Sequence, residues 1–272
     1  RYARAFKNKN GDDKFAFKVN FSYLRADDWQ ANNLSPSTAS PKGEDNPGGY
    51  DAVNRYGDEL SNIYENDYDN KSGNRLHPGL KQFFRTGYLE KYLVDYNVRN
   101  IKANTALHYK ITDKIEARIA YNFGTGTTVY QGDNRYSLNG IMFNHLRAEI
   151  IQPDKFYIRA YTTMENGGDS YDAVFTAIKL NELDKSNTFW DQLYQSTWDS
   201  KFRNKVYALP GFPSYIGQGS GWFTNYDSTN AIANAVLAEY KDSLTLWHNE
   251  ARLIADTTTY GRYGGRIEPG TP

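Results

Sequence analysis

The sequence predicts an all-β chain that forms part of a transmembrane antiparallel up-and-down β-barrel. Two observations carry this. Six segments alternate apolar and polar residues with period 2. Their connections are also unequal in a regular way: tight turns at 8–13, 112–114 and 152–154 alternate with long connections at 26–97 and 166–272 and an intermediate one at 124–137. Bacterial outer-membrane barrels combine short periplasmic turns with long external loops. A third observation is compatible with this reading. Mean hydropathy is only −0.77, and no run approaches the roughly 18 apolar residues of a membrane helix. A barrel needs no such run, because only alternate residues meet lipid.

The first strand is a stub at 2–6. The second, at 14–25, is the clearest: Phe15, Phe17, Val19, Phe21 and Tyr23 share one face, while Ala16, Lys18, Asn20 and Ser22 share the other. After Trp29 the chain is rich in Asn, Ser, Pro and Gly over 32–49, a loop composition. A short helix is expected near 52–64. The third strand, at about 98–111, sets Ile101, Ala103, Thr105, Leu107 and Tyr109 against Lys102, Asn104, His108 and Lys110. The fourth, at 115–123, sets Ile115, Ala117, Ile119, Tyr121 and Phe123 against Glu116, Arg118, Ala120 and Asn122. The fifth and sixth occupy 138–151 and 155–165. In this reading the apolar sets face lipid and the polar sets line a wet lumen. A soluble sandwich alternates in the same way, and the loop asymmetry favours the barrel.

The last hundred residues change period. Tyr171, Val174, Phe175 and Ile178 lie at helical spacing, with Asp169 or Ser170 placed to cap. A second helix is expected over about 189–202, with Thr188 and Asp191 as a capping-box variant. A third begins near Ser228, with Ile232, Val236, Tyr240 and Leu244 on one face. The organisation expected is therefore 1–165 as barrel strands, including an external loop at 26–97, and 166–272 as a long, partly helical extracellular lid. Residues 1–6 read as mid-strand, and six strands cannot close a barrel of about eight, so the chain reads as an internal piece.

Composition excludes several classes. Lys plus Arg equals Asp plus Glu at 32 each, which argues against a nucleic-acid partner. Cysteine is absent, so disulfides, thiolate zinc sites and thiol nucleophiles are ruled out for these residues. The four histidines, His77, His108, His145 and His248, show no H-x-x-x-H spacing. The stretch 124–129 lacks the third glycine of a dinucleotide fingerprint, and 217–221 lacks the register of a nucleophile elbow. Asp67, Asp69, Asn70 and Gly73 only loosely follow a calcium loop, because Lys71 stands where an oxygen ligand belongs. No catalytic constellation emerges, no cofactor is implied and no enzyme is expected.

Three stretches, KFAFKVNFSYLRADDW at 14–29, FGTGTTVYQGDNRYSLNG at 123–140 and FYIRAYTTMENGGDSYDA at 156–173, carry a resemblance. They resemble the barrel of TonB-dependent outer-membrane receptors, particularly the SusC-like nutrient importers. The resemblance covers roughly 1–180. It implies a barrel of about 22 strands, of which this chain would supply six, with a plug and TonB box outside it. It further implies a location in the outer membrane of a Gram-negative bacterium, contact with outer-membrane lipid, and energy delivered through TonB. A SusD-like surface lipoprotein is the expected partner over the mouth. The expected function is import of a glycan, peptide or similar nutrient; a receptor-like scaffold for surface lipoproteins is the alternative. Ligand contacts are expected from aromatics that lose little entropy on binding, with Trp29, Tyr207, Phe212, Tyr215 and Trp222 as candidates. Packing within the loops, or a place in the interfacial girdle, competes for each.

Overall fold

The structure, a computed structural model, describes residues 1–59, 61–63, 77–213 and 226–259. Strand accounts for 40% and helix for 28%. The chain is therefore β-rich, but with more helix than an all-β class implies. It divides into two compact units. One comprises Arg1–Gln30 and Val94–Ala173; the other is built from Ala31–Leu93 and from Val174 onward.

In chain order the strands are β1 (Tyr2–Lys7), β2 (Asp13–Asp27), β3 (Arg55–Tyr56), β4 (Ser61–Ile63), β5 (Gln82–Phe84), β6 (Tyr88–Leu89), β7 (Asn97–Lys110), β8 (Glu116–Gln131), β9 (Arg135–Gln152), β10 (Phe156–Asn166) and β11 (Tyr171–Asp172). The helices are α1 (Ala173–Asp184), α2 (Asn187–Thr197), α3 (Arg203–Tyr207), α4 (Tyr226–Glu239) and α5 (Lys241–Thr257).

The first unit is one antiparallel sheet in the order β1-β2-β7-β8-β9-β10, with β11 added to β9. Neighbours in sequence are neighbours in space, as in an up-and-down meander. The sheet is open, with β1 and β10 at its edges, and no closed barrel forms among the described residues. Turn chemistry matches the geometry at one end. Between β1 and β2 the Asn8 side-chain oxygen accepts from the backbone N–H of Asn10 at 2.8 Å and of Asp12 at 2.9 Å. Between β9 and β10 the turn residue Asp154 has φ 61°, a conformation aspartate tolerates better than most residues.

One connection departs from the sequence reading. The expected loop at 124–137 is mostly strand, because β8 runs on to Gln131 and β9 starts at Arg135. Only Gly132–Asn134 turns. Residues 127–131, TTVYQ, are strong strand formers, and the glycines before them are accommodated in the sheet rather than ending it. At Gly126 a Cβ would come within 2.9 Å of the Asn100 side chain, and the register shifts between Gly126 and Thr128. The glycine permits close approach of the neighbouring strand at a bulge.

The second unit draws on both long connections. Leu80 and Phe83 from the first pack with Trp190, Tyr194, Trp198, Phe202, Val206, Val236 and Leu244 from the second. Phe83 stacks on Tyr194 with centroids 4.1 Å apart and planes 2° from parallel. The first helix expected from the sequence, near 52–64, is absent among the described residues there. The chain instead makes a bridge at Ala52 and the short strands β3 and β4. Positions 60 and 64 lie outside the described residues.

The later helices are found with altered boundaries. Ser170 does not cap α1, because its hydroxyl donates to the Gly167 carbonyl and accepts from the Asn139 N–H. The cap of α2 is Ser186, whose hydroxyl accepts from the Phe189 N–H at 3.2 Å, so Thr188 lies inside the helix. The expected third helix is two helices broken at Tyr240, which puts Val236 and Leu244 in the core and leaves Ile232 exposed.

Candidate functional site

Register turns the alternation of single strands into rows across the sheet. One row runs Arg4, Phe17, Leu107, Ile119, Ala148, Ala160. The next runs Tyr2, Val19, Thr105, Tyr121, Leu146, Thr162, and a third runs Phe6, Phe15, Tyr109, Ala117, Ile150, Ile158. These rows form one apolar face, and much of it is bare: Phe21 is 67% exposed, Ile158 66% and Ile119 52%. From the row of Phe15 to that of Tyr23 is eight residues, about 27 Å along the strand. At a tilt of about 40° this gives an apolar band roughly 20 Å tall, near the ~25 Å of a membrane barrel. Arg4 lies on this face, but its guanidinium sits 5.0 Å over the ring of Phe6, one row nearer the tight turns. That is how a long cation leaves an apolar band.

The opposite face is polar and hydrogen-bonded from strand to strand. The Asn20 amide donates to the Asn104 side-chain oxygen at 3.0 Å, and the Asn104 amide donates in turn to Asn122. Asn122 meets His145 Nδ1 at 3.2 Å. Two rows closer to the turns is an ionic network. Glu116 accepts from Arg118 at 2.8 and 3.1 Å and contacts His108 at 2.6 Å. Glu149, buried between two arginines, accepts from Arg118 at 3.3 Å and from Arg159 at 2.7 Å. His108 and His145 are thus satisfied members of a polar wall. No histidine joins a cluster fit for a metal among the described residues.

The expected ligand aromatics separate. Trp29, in the first unit just after β2, is 75% exposed. Phe212 is buried in the core of the second unit, and Tyr207 packs edge-on against it at 6.0 Å. Burial gives Phe212 a packing role in place of ligand contact, and Tyr207 supports it. Tyr215 and Trp222 lie outside the described residues, as do Asp67, Asp69, Asn70 and Gly73.

The second unit also holds a buried polar centre at its helix interface. His248 Nε2 donates to the Gly79 carbonyl at 3.1 Å, and its Nδ1 accepts from the Tyr194 hydroxyl at 2.7 Å. This arrangement suits the neutral imidazole, and burial lowers the His248 pKa to about 3. Burial likewise raises Tyr194 above the usual tyrosine range. Nearby, Asp256 accepts from Trp190 Nε1 at 2.8 Å and from the Thr86 hydroxyl, while Lys185, fully buried, donates to Asp184 at 2.7 Å and to the Asp256 carbonyl at 3.0 Å. These groups point inward and, apart from Asp184 Oδ1, which accepts from no donor, are paired with one another or with the backbone across the helices.

One cluster escaped the sequence reading. Asp51, Asp58 and Glu59 bring carboxylate oxygens within 4.8 Å of one another. They stand in an acidic loop composition that carries no motif, and only the fold brings Asp51 beside the other two.

Comparison with family models, curated proteins and solved structures finds no match to this chain.

Proposed function

We propose that the sheet is part of the wall of a TonB-dependent outer-membrane importer of the SusC-like kind. The observation that carries the reading is the two-sidedness of the sheet. One face is a continuous apolar band left exposed, and the other is a polar wall cross-linked by an amide ladder and an ionic network. A water-soluble sheet buries its apolar face against another layer, whereas a membrane wall presents it to lipid and keeps polar groups in the lumen. The resemblance of 14–29, 123–140 and 156–173 supplies the family. In this reading the long connections lie outside the cell, Trp29 is an aromatic free to touch cargo, and a surface lipoprotein of the SusD type covers the mouth. Energy would come through TonB acting on a plug beyond this chain.

The test is cellular. The intact protein should fractionate with outer membranes and need detergent for extraction. Nutrient-dependent uptake or growth through it should vanish when TonB is deleted. Recovery as a soluble periplasmic protein would sink the membrane reading. Membrane localisation with TonB-independent behaviour would leave the barrel and replace transport with the scaffold role.

A further inference from the structure

We propose that Asp51, Asp58 and Glu59 form a Ca²⁺ site in the first long connection. Asp58 is only 1% exposed and Asp51 only 8%. The nearby cation is Arg55, whose Nε donates to Asp58 Oδ2 while its Nη2 donates to the Tyr50 carbonyl at 2.6 Å. Three carboxylates against one guanidinium leave two negative charges in a largely buried place.

The oxygen inventory points the same way. Asp58 Oδ2 also accepts from the Ala52 N–H at 3.3 Å, Asp51 Oδ2 accepts from the Ser37 hydroxyl, and Glu59 Oε2 accepts from the Gly57 N–H at 2.6 Å. Asp58 Oδ1 is buried and accepts from no donor. A buried carboxylate oxygen without a partner is expensive, and a cation shared with its neighbours would satisfy it.

The donor set selects the ion. All three ligands are hard carboxylate oxygens, which suits Ca²⁺ or Mg²⁺ rather than a softer metal. Two oxygens on one Ca²⁺ at 2.3–2.6 Å can stand at most about 4.6–5.2 Å apart, so a cluster within 4.8 Å spans Ca²⁺ without compression. Mg²⁺ keeps several waters and is seldom held by a cluster of protein carboxylates alone, which favours Ca²⁺. Glu59 is exposed, which leaves an open side for water ligands and entry.

Ca²⁺ competes with protons for carboxylate oxygens, so its stabilisation should be larger at pH 8 than at pH 5.

The experiment is a Ca²⁺ titration of the intact protein, stripped with EDTA and followed by calorimetry and thermal melting, with Mg²⁺ as control. Expected are one equivalent of Ca²⁺ lost in Asp58→Asn, affinity about tenfold weaker in Glu59→Gln, and a Tm gain that shrinks toward pH 5. Glu59→Gln keeps the test valid if Asp58→Asn fails to fold. The proposal is overturned if Ca²⁺ changes neither heat nor Tm, or if Asp51→Asn and Glu59→Gln bind it as the parent does.

Discussion

The two units spend their apolar residues in opposite ways. In the sheet the large apolar side chains point outward: Tyr2, Val19, Phe21, Ile119, Leu146 and Ile158 are all exposed. In the other unit the largest of them point inward, and Trp190, Trp198, Tyr194, Phe83 and Phe202 are almost completely covered, while single residues such as Leu183 and Leu246 stay exposed. On the proposed reading lipid covers the first arrangement, whereas the second makes its own interior. A mean hydropathy of −0.77 averages over both and reveals neither. The comparison therefore locates the membrane reading in one unit and gives the other the physics of a globular domain.

Core truncation should have the largest effect. Trp190→Ala removes a ring packed on Phe83 and Tyr194 and strands Asp256 without its indole donor. A loss of about 3–5 kcal/mol is expected in that unit, visible as early proteolysis of the long connections while the sheet stays protease-resistant in membranes. Simultaneous loss of both units would erase the distinction drawn between them.

Next comes the sheet. Val19→Arg or Ile119→Arg should cost about 2–4 kcal/mol near the midplane, measured by reversible unfolding in detergent or lipid. Lys18→Arg, one residue away on the polar face, should change stability by no more than about 0.5 kcal/mol. Arg118 is a poorer control than its polar position suggests, because its fork serves both Glu116 and Glu149. Lysine cannot reproduce that geometry, and Arg118→Lys should cost about 1 kcal/mol, because Arg118 is partly exposed and the buried Glu149 keeps Arg159.

The pH dependence of the second unit separates further. The folded His248 pKa lies below its unfolded value, so its contribution is present above about 6.5 and is lost as pH falls toward 3. Melting curves between pH 4 and 8 should show the helical core weakening on acidification, and His248→Gln should flatten that limb.

Legibility in the sequence followed locality. Period-2 alternation is written within each strand, so strand existence and the facing of Phe17, Lys18, Ile119 and Arg118 could be read directly. The β8–β9 hairpin is longer than the sequence suggests because Gly124 and Gly126 resemble loop punctuation, whereas the sheet tolerates glycine at a bulge. The shared core of the second unit joins Phe83 to Tyr194 across more than a hundred residues, and no local pattern encodes such a pairing. For the same reason Phe212 read as a loop aromatic, and Asp51 was separated from Asp58 and Glu59. Gly57, at φ 88°, turns the chain just before Asp58.

The central claim is that the sheet's apolar face meets lipid while the other face meets water. This chain has no cysteine, so single cysteines at Val19 and Ile119, and at Lys18 and Ala120, can each carry a spin label in the membrane-embedded intact protein. Labels at 19 and 119 should be relaxed by oxygen and shielded from a water-soluble nickel chelate, with the reverse at 18 and 120. Equal access of the chelate to all four positions would contradict the account.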